Sequence, residues 1–299
     1  MSTVNLTHEA QLRNYSQMEV KIDPEYGIVW IYQNPKPRPC YNETLVEELK
    51  SLQNMLHIND GYLPYKGENI RINYLVLDSK SDGIFSMGGD LNLFRDHVIR
   101  KDKGGLLKYA RSCVEAMHGF IVGCRLPITT IALVRGDAMG GGFEVALSCH
   151  VLIAEENVGM GFPEVLFNLF PGMGGYHLLS RRLPQKQVER MMLSGHKYPV
   201  EELFNMGVVD RLVEKGDGSM EVYNFIRECN KHRRGYLAMK NVREMVNAIS
   251  YEALLEVSRY WVDITMQVSE RDLKLMERLV KSQSKLANLE INQENRSIA

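Results

Sequence analysis

The sequence predicts an α/β fold in which a mostly parallel sheet is wrapped by helices. Three observations predict it. Apolar β-rich runs alternate with helical periodicities through the first two-thirds, Gly-rich turns sit between strand and helix, and helical patterns alone fill the last third. The 299 residues, 44% hydrophobic and 24% charged, suffice for one sizeable core or two small ones. With 36 basic and 37 acidic residues the formal charge is -1, which lacks the electrostatic footprint of a general nucleic-acid binder. Cys40, Cys113, Cys124, Cys149 and Cys229 are scattered and form no C-x-x-C pair, a pattern that suits reduced cytosolic thiols better than a disulfide frame or a zinc site.

The opening MSTVNLTHEAQLRNYSQ is polar and lacks the apolar core of a signal peptide, so residues 1–24 predict a flexible leader. From Tyr26, YGIVWIYQ reads as a strand that must stop at Pro35, Pro37 and Pro39. Asn42 is placed to cap a helix whose Leu45, Leu49, Leu52 and Leu56 form one apolar stripe. Asn59, Asp60 and Gly61 mark a turn, and INYLVLDS is a near-continuous apolar strand of the buried kind. Leu107, Ala110, Val114, Met117 and Ile121 predict a helix over Leu106 to Ile121, closed by Pro127. Strand ITTIALV, the segment RGDAMGGGFEVALSCH as turn and helix, and strand VLIAEE follow.

Beyond a short strand at Val208 to Val213 the pattern is helical. Leu254, Val257, Trp261, Ile264 and Val268 form one stripe, and Leu273, Met276 and Val280 continue an apolar face. This divides the chain into a core over 25–232, a helical region over 233–289 and a polar tail over 290–299. No run approaches the roughly 18 consecutive apolar residues of a membrane span, so a cytoplasmic protein without membrane contact is expected.

There is no G-x-S-x-G elbow, no phosphate-binding P-loop and no H-E-x-x-H, and the eight histidines never fall at a metal-ligand spacing on one face. Neither a metal nor a cofactor is expected. Adjacent side chains diverge, so His150 beside Cys149 predicts a structural histidine rather than a nucleophile's base. Two glycine clusters carry more. Gly140, Gly141 and Gly142 precede a helix bearing Glu144, where a ligand can approach the backbone and meet N–H groups at the helix start. A tight, closely packed turn explains the same glycines equally well. Gly88 and Gly89 follow another strand, and donors from two such loops can converge on one oxygen, as an enolate or tetrahedral oxyanion requires. Glu164, in the apolar GFPEVLFNLFPG, is either a desolvated proton-transfer group or a helix-start residue after Pro163.

In order and spacing, FSMGGDL, ALVRGDAMGGGFEVALSCHVLIAEE, GFPEVLFNLFPGMGGYHLLSRRL and MMLSGHKYPVEELFNMGVVDRLV resemble the crotonase (enoyl-CoA hydratase/isomerase) superfamily over roughly Glu25 to Val213. GGDLNLF, PEVLFNLFPGMGGY and the C-terminal RYWVDITMQVSERDLKLMERLVKSQS are similar to the synthases of diffusible signal factors, cis-2-unsaturated fatty acids of bacterial signalling. The resemblance implies a β-β-α spiral core with C-terminal helices that drive trimer or hexamer formation. It places the oxyanion hole on the backbone N–H groups of Gly89 and Gly141 and the acid/base pair on Glu144 and Glu164.

The implied substrate is a 3-hydroxyacyl chain on acyl carrier protein, dehydrated to the cis-2-enoyl thioester and hydrolysed to the free acid, with a signal-sensor protein as a further partner. Glu164 is then the C2 base and Glu144 the acid at the 3-hydroxyl. An apolar tunnel must bend the chain. Its candidate walls are Met139, Met173, Trp261 and Leu279, beside Gly88 and Gly140, although such side chains also make plain core. Arg95, Arg100, Lys101 and Lys103 offer either a docking surface for an acidic carrier or a solvated face. The alternatives are an enoyl-CoA hydratase or isomerase, and a non-catalytic acyl-binding or sensor-docking protein.

Overall fold

A computed structural model describes Leu12, residues 14–279 and Lys281. The first residues of the leader, Val280 and the polar tail over 290–299 lie outside the described residues. The strands in chain order are β1 (Met18–Asp23), β2 (Ile28–Gln33), β3 (Tyr62–Tyr65), β4 (Glu68–Arg71), β5 (Tyr74–Ser79), β6 (Ile84–Ser86), β7 (Thr129–Val134), β8 (Asp137–Met139), β9 (Val151–Glu155), β10 (Gly159–Gly161), β11 (Lys197–Pro199) and β12 (Arg211–Val213). The helices are α1 (Glu43–Ile58), α2 (Leu91–Ile99), α3 (Lys103–Ile121), α4 (Gly141–Ser148), α5 (Gly175–Ser180), α6 (Gln185–Ser194), α7 (Val200–Asn205), α8 (Gly218–Lys231), α9 (Arg233–Val246) and α10 (Tyr251–Thr265). A further helical run covers 270–279.

Six strands form one sheet in the order β1-β2-β5-β7-β9-β12, parallel throughout except for β1 against β2. A second sheet runs β11-β10-β8-β6. The chain advances in equal steps: β5 then β6, β7 then β8, β9 then β10, each pair adding one strand to each sheet before the chain leaves into helical turns. This is the β-β-α progression that the resemblance implies.

Strand alternation decides what covers each face of the six-stranded sheet. Ile28, Trp30, Tyr74, Val76, Ile131, Leu133 and Ile153 pack with Val222, Phe225 and Ile226 of α8. Their neighbours Val29, Ile31, Leu75, Leu77, Ala132, Val134 and Leu152 face the larger core, which holds the apolar stripes of α1 and α3. Burial on both faces explains why the central strands read as continuous apolar runs.

Two expectations need correction. The leader over 1–24 includes β1, whose register from Met18 opposite Gln33 to Asp23 opposite Ile28 makes it the antiparallel edge of the main sheet. Its half-buried MEVKID hides the strand signal behind charge, as an edge strand's sequence does. Helix α8 covers a face of the sheet, and α9 begins at Arg233. Only Arg211–Val213 of the expected 208–213 strand pairs, parallel to β9.

Candidate active site

The β2–α1 connection and the β6–α2 loop are clamped together. Met87 N–H donates to Pro39 O and Tyr41 N–H to Gly88 O, both at 2.8 Å. Asp90 caps α2 and accepts from Arg38 Nη2 at 2.7 and 3.0 Å. Gly88 stands at φ +88°, where a Cβ would press on Met139 O and the Gly141 amide. The clamp therefore brings the glycine turn of β6–α2 against the start of α4.

That contact unites the two glycine clusters. An ideal Cβ on Gly141 would lie 3.4 Å from Gly89 N and 2.8 Å from Met173 Cε, so the two turns share one narrow space. Among the described residues neither the Gly89 nor the Gly141 N–H has a hydrogen-bond acceptor. Gly141 opens α4, where the first N–H groups lack intrahelical partners. Gly140 has φ +54° and its N–H is held by Gly161 O at 2.8 Å; a Cβ there would collide with Glu164 Oε1.

Glu144 lies in the first turns of α4 with 1% exposure, and its Oε1 accepts from Met173 N–H at 2.9 Å and Gly175 N–H at 2.8 Å. Burial pushes its carboxyl up to about 7, against the pull of these backbone donors. Glu164 begins a short 3₁₀ turn, Glu164–Phe167, after Pro163. The residue is partly buried, yet its Oε2 is enclosed without a hydrogen-bond partner. Desolvation first, and the nearby Glu144 charge second, push Glu164 up to about 8. At neutral pH the environments differ in sense: donors hold Glu144 toward the anion, and nothing comparable does so for Glu164.

Both carboxyl groups open on a cavity of ≈ 210 Å³. Gly88, Gly89, Met139, Gly140, Gly141, Glu144, Glu164, Met173, Trp261 and Leu279 all line it. The sequence reading missed Phe94, Tyr109, Cys113 and Ser258, which also line it. Phe94 stands edge-on to Trp261 at 4.9 Å and to Tyr109 at 5.7 Å, making one aromatic wall. Trp261, 7% exposed, packs on the Gly172 backbone, and Ser258 Oγ donates to Gly172 O at 2.6 Å. Helix α10 thus supports the turn that supplies the Glu144 donors. Leu91 and Phe94 put α2 at the cavity, with Arg100 and Lys101 exposed at its far end. Lys103 is committed to Asp263 at 2.6 Å, and Arg95 stands 4.0 Å from Asp96.

His150 is the structural residue expected. Its Nδ1 accepts from Thr130 N–H at 2.9 Å, which leaves Nε2–H to donate to Glu244 at 2.9 Å, joining the sheet to α9.

A model of the enoyl-CoA hydratase/isomerase family matches residues 63–278. The chain belongs to the enoyl-CoA hydratase/isomerase family. It is 29% identical over 217 residues to a probable mitochondrial enoyl-CoA hydratase 2 of Arabidopsis thaliana, covering 70% of this chain and 65% of that protein. The curated relatives are longer than the matched stretch, which spans 16% to 65% of them. Among solved structures, enoyl-CoA hydratase from Bacillus halodurans superposes with TM-score 0.72 at 18% identity, covering 88% of this chain and all 100% of that one. Pseudomonas aeruginosa DspI does so with TM-score 0.67 at 24% identity, covering 84% and 96%. At such identities these likenesses establish the shared fold of the family. No helix among the described residues is long and apolar enough to cross a membrane.

Proposed function

We propose that this chain interconverts a 3-hydroxyacyl thioester and its 2-enoyl thioester, and that it works toward dehydration of a carrier-borne chain and release of a cis-2-unsaturated acid. One observation carries the reading. Two enclosed carboxyl groups of unlike proton affinity flank a cavity floored by two unpaired N–H donors. Removing a proton from C2 of a thioester drives charge onto its oxygen, and the Gly89 and Gly141 amides stabilise that enolate. A single such donor is worth about 2.7–4 kcal/mol elsewhere.

The chemistry needs one proton on the pair. In its favoured arrangement Glu144 is ionised and Glu164 protonated, which suits addition of water: Glu144 takes the water proton, the oxygen bonds to C3, and Glu164 delivers its proton to C2. Elimination reverses each step, so it starts with Glu164 ionised and Glu144 protonated. The two backbone donors on Glu144, against an Oε2 of Glu164 with no partner, make that arrangement the rarer one. Glu164 serves C2 and Glu144 the oxygen in both directions.

Hydrolysis then replaces the C–S bond by C–O, giving free acid and carrier thiol. Ser258 spends its hydroxyl on Gly172 O, and burial pushes the Cys113 thiol up to about 12, so neither lining residue is an activated nucleophile. Water activated by a glutamate is the remaining route. The apolar wall of Trp261, Phe94 and Leu279 suits a bent acyl chain, and the likeness of the Trp261 segment to the signal-factor synthases favours the cis-2 acid. We place this cytoplasmic activity in a homotrimer or hexamer that receives acyl carrier protein, with a signal-sensor protein as a further partner.

The second reading, an enoyl-CoA hydratase, is favoured by the resting proton arrangement, which is that of water addition. Incubating the protein with 3-hydroxydodecanoyl thioesters of both carriers, and analysing products by mass spectrometry, separates the two. Free cis-2 acid from the carrier protein supports the synthase; reversible hydration of trans-2-enoyl-CoA with no free acid moves the chain to the hydratases.

A further inference from the structure

A second void lies behind the reaction cavity. It measures ≈ 10 Å³ and shares Tyr41, Cys113 and Met173 with the front cavity, while Leu49, Ala116 and Phe120 enclose its rear. Both lie along α3. Tyr109, Ala110 and Cys113 face the front, and Ala116, Met117 and Phe120 continue the same face behind them. At 1.5 Å per residue, Tyr109 to Phe120 spans about 16 Å.

Interiors hold few voids even the size of a water, about 10–15 Å³, and this one adjoins the candidate active site. Its walls give way easily. Met173 and Met117 are unbranched thioethers that readily repack, and Cys113 and Ala116 are small residues on a core-facing helix. Met173 also links the void to the chemistry. Its Cε packs against Gly141, 2.8 Å from where a Cβ would stand, in the narrow space shared with the Gly89 turn. Its side chain lines both cavities, so a change in that side chain's position joins front and rear.

We infer that the far end of the acyl chain passes Cys113 and Met173 into this rear void, where Ala116 and Leu49 set the longest chain accepted. The inference rests on the acyl-thioester reading above and adds to it the residues that measure the chain. Ala116→Leu fills the rear and Leu49→Ala enlarges it, and neither residue touches the carboxyl pair or the glycine donors.

Calorimetric binding of short, medium and long saturated acyl-pantetheine thioesters tests this without relying on turnover. Ala116→Leu should weaken the longest chain relative to the shortest by about 10-fold or more, the effect of one misplaced methylene in an apolar pocket. Leu49→Ala should shift the preference toward longer chains. Circular dichroism checks that both variants fold, and if Ala116→Leu does not, Leu49→Ala decides the matter alone. Equal changes at every chain length overturn the rear pocket and leave the acyl-thioester reading standing. Binding of no length by wild type overturns both.

Discussion

Replacing Glu164 by Gln should make the protein more stable as the pH rises, even though it removes a proposed catalytic group. Folding raises this carboxyl from its ordinary 4.5 to about 8, chiefly by desolvation. The native state therefore holds the proton more tightly than the unfolded chain, so stability is whole below pH 4.5 and is lost as pH climbs through about 8. At about 1.4 kcal/mol per pH unit the loss reaches about 3 kcal/mol by pH 7 and about 5 kcal/mol in full. Water entering by the cavity lowers both figures. Gln keeps the shape and cannot ionise. Urea unfolding at about pH 4.5, 7 and 8.5 should find the two proteins nearly equal at the lowest pH and a gap in favour of Glu164→Gln that widens upward. A gap that ignores pH, or a variant weaker than wild type at the highest pH, would refute the desolvated carboxyl and the proton arrangement built on it.

Glu144→Gln keeps an acceptor for the Met173 and Gly175 amides and should cut turnover of 3-hydroxyacyl thioesters about 10²- to 10⁴-fold while leaving thermal unfolding cooperative; wild-type turnover would remove it from the chemistry. Gly141→Val puts a side chain against Met173 Cε and beside the Gly89 amide, so kcat should fall about 10²- to 10³-fold, more than substrate affinity does. Trp261→Ala opens the wall against Phe94 and Gly172 and should shift the product profile toward longer or bulkier chains at a stability cost of about 3–5 kcal/mol, read by mass spectrometry and denaturation; an unchanged profile would make Trp261 ordinary core. Reversing the exposed Arg100 and Lys101 to Glu should slow the acyl-carrier-protein reaction, with an effect that fades as salt rises, and should spare a small thioester mimic; equal slowing of both would refute carrier docking there.

The central strands were legible because burial on both faces forces unbroken apolar runs, and α1 because a Leu stripe follows a capping Asn42 whose side chain does accept from Leu45 N–H. The three-residue strands of the second sheet were not legible. β6, β8 and β10 derive their pairing from the neighbouring turn of the spiral rather than from their own composition, and Gly159–Gly161 carries no β propensity beyond one Met. The site was legible where backbone geometry demands glycine or where a carboxyl sits in an apolar segment. Tyr109 and Cys113 escaped because the stripe drawn through Leu107, Ala110, Val114, Met117 and Ile121 covers only part of a wide buried face; Ala110 meets the cavity, and so do Tyr109 and Cys113 beside the stripe. In the structure Leu106, Tyr109, Cys113 and Phe120 are buried while Leu107 is only half-buried.

What no local pattern encodes is the dependence of Glu144 on the C-terminal helix. The carboxyl owes its donors to the turn at Gly172–Gly175, and that turn rests on α10 through Ser258 and the Trp261 ring. Residues more than a hundred positions apart thus steady the backbone donors to one oxygen atom. The same turn carries Met173, whose methyl covers Gly141 and whose side chain walls off the rear void. The side chain that lines both cavities thus stands on the backbone that holds Glu144. In this arrangement chain recognition and carboxyl ionisation share one short turn, so changes in α10 should alter chain selectivity and the pH dependence of turnover together.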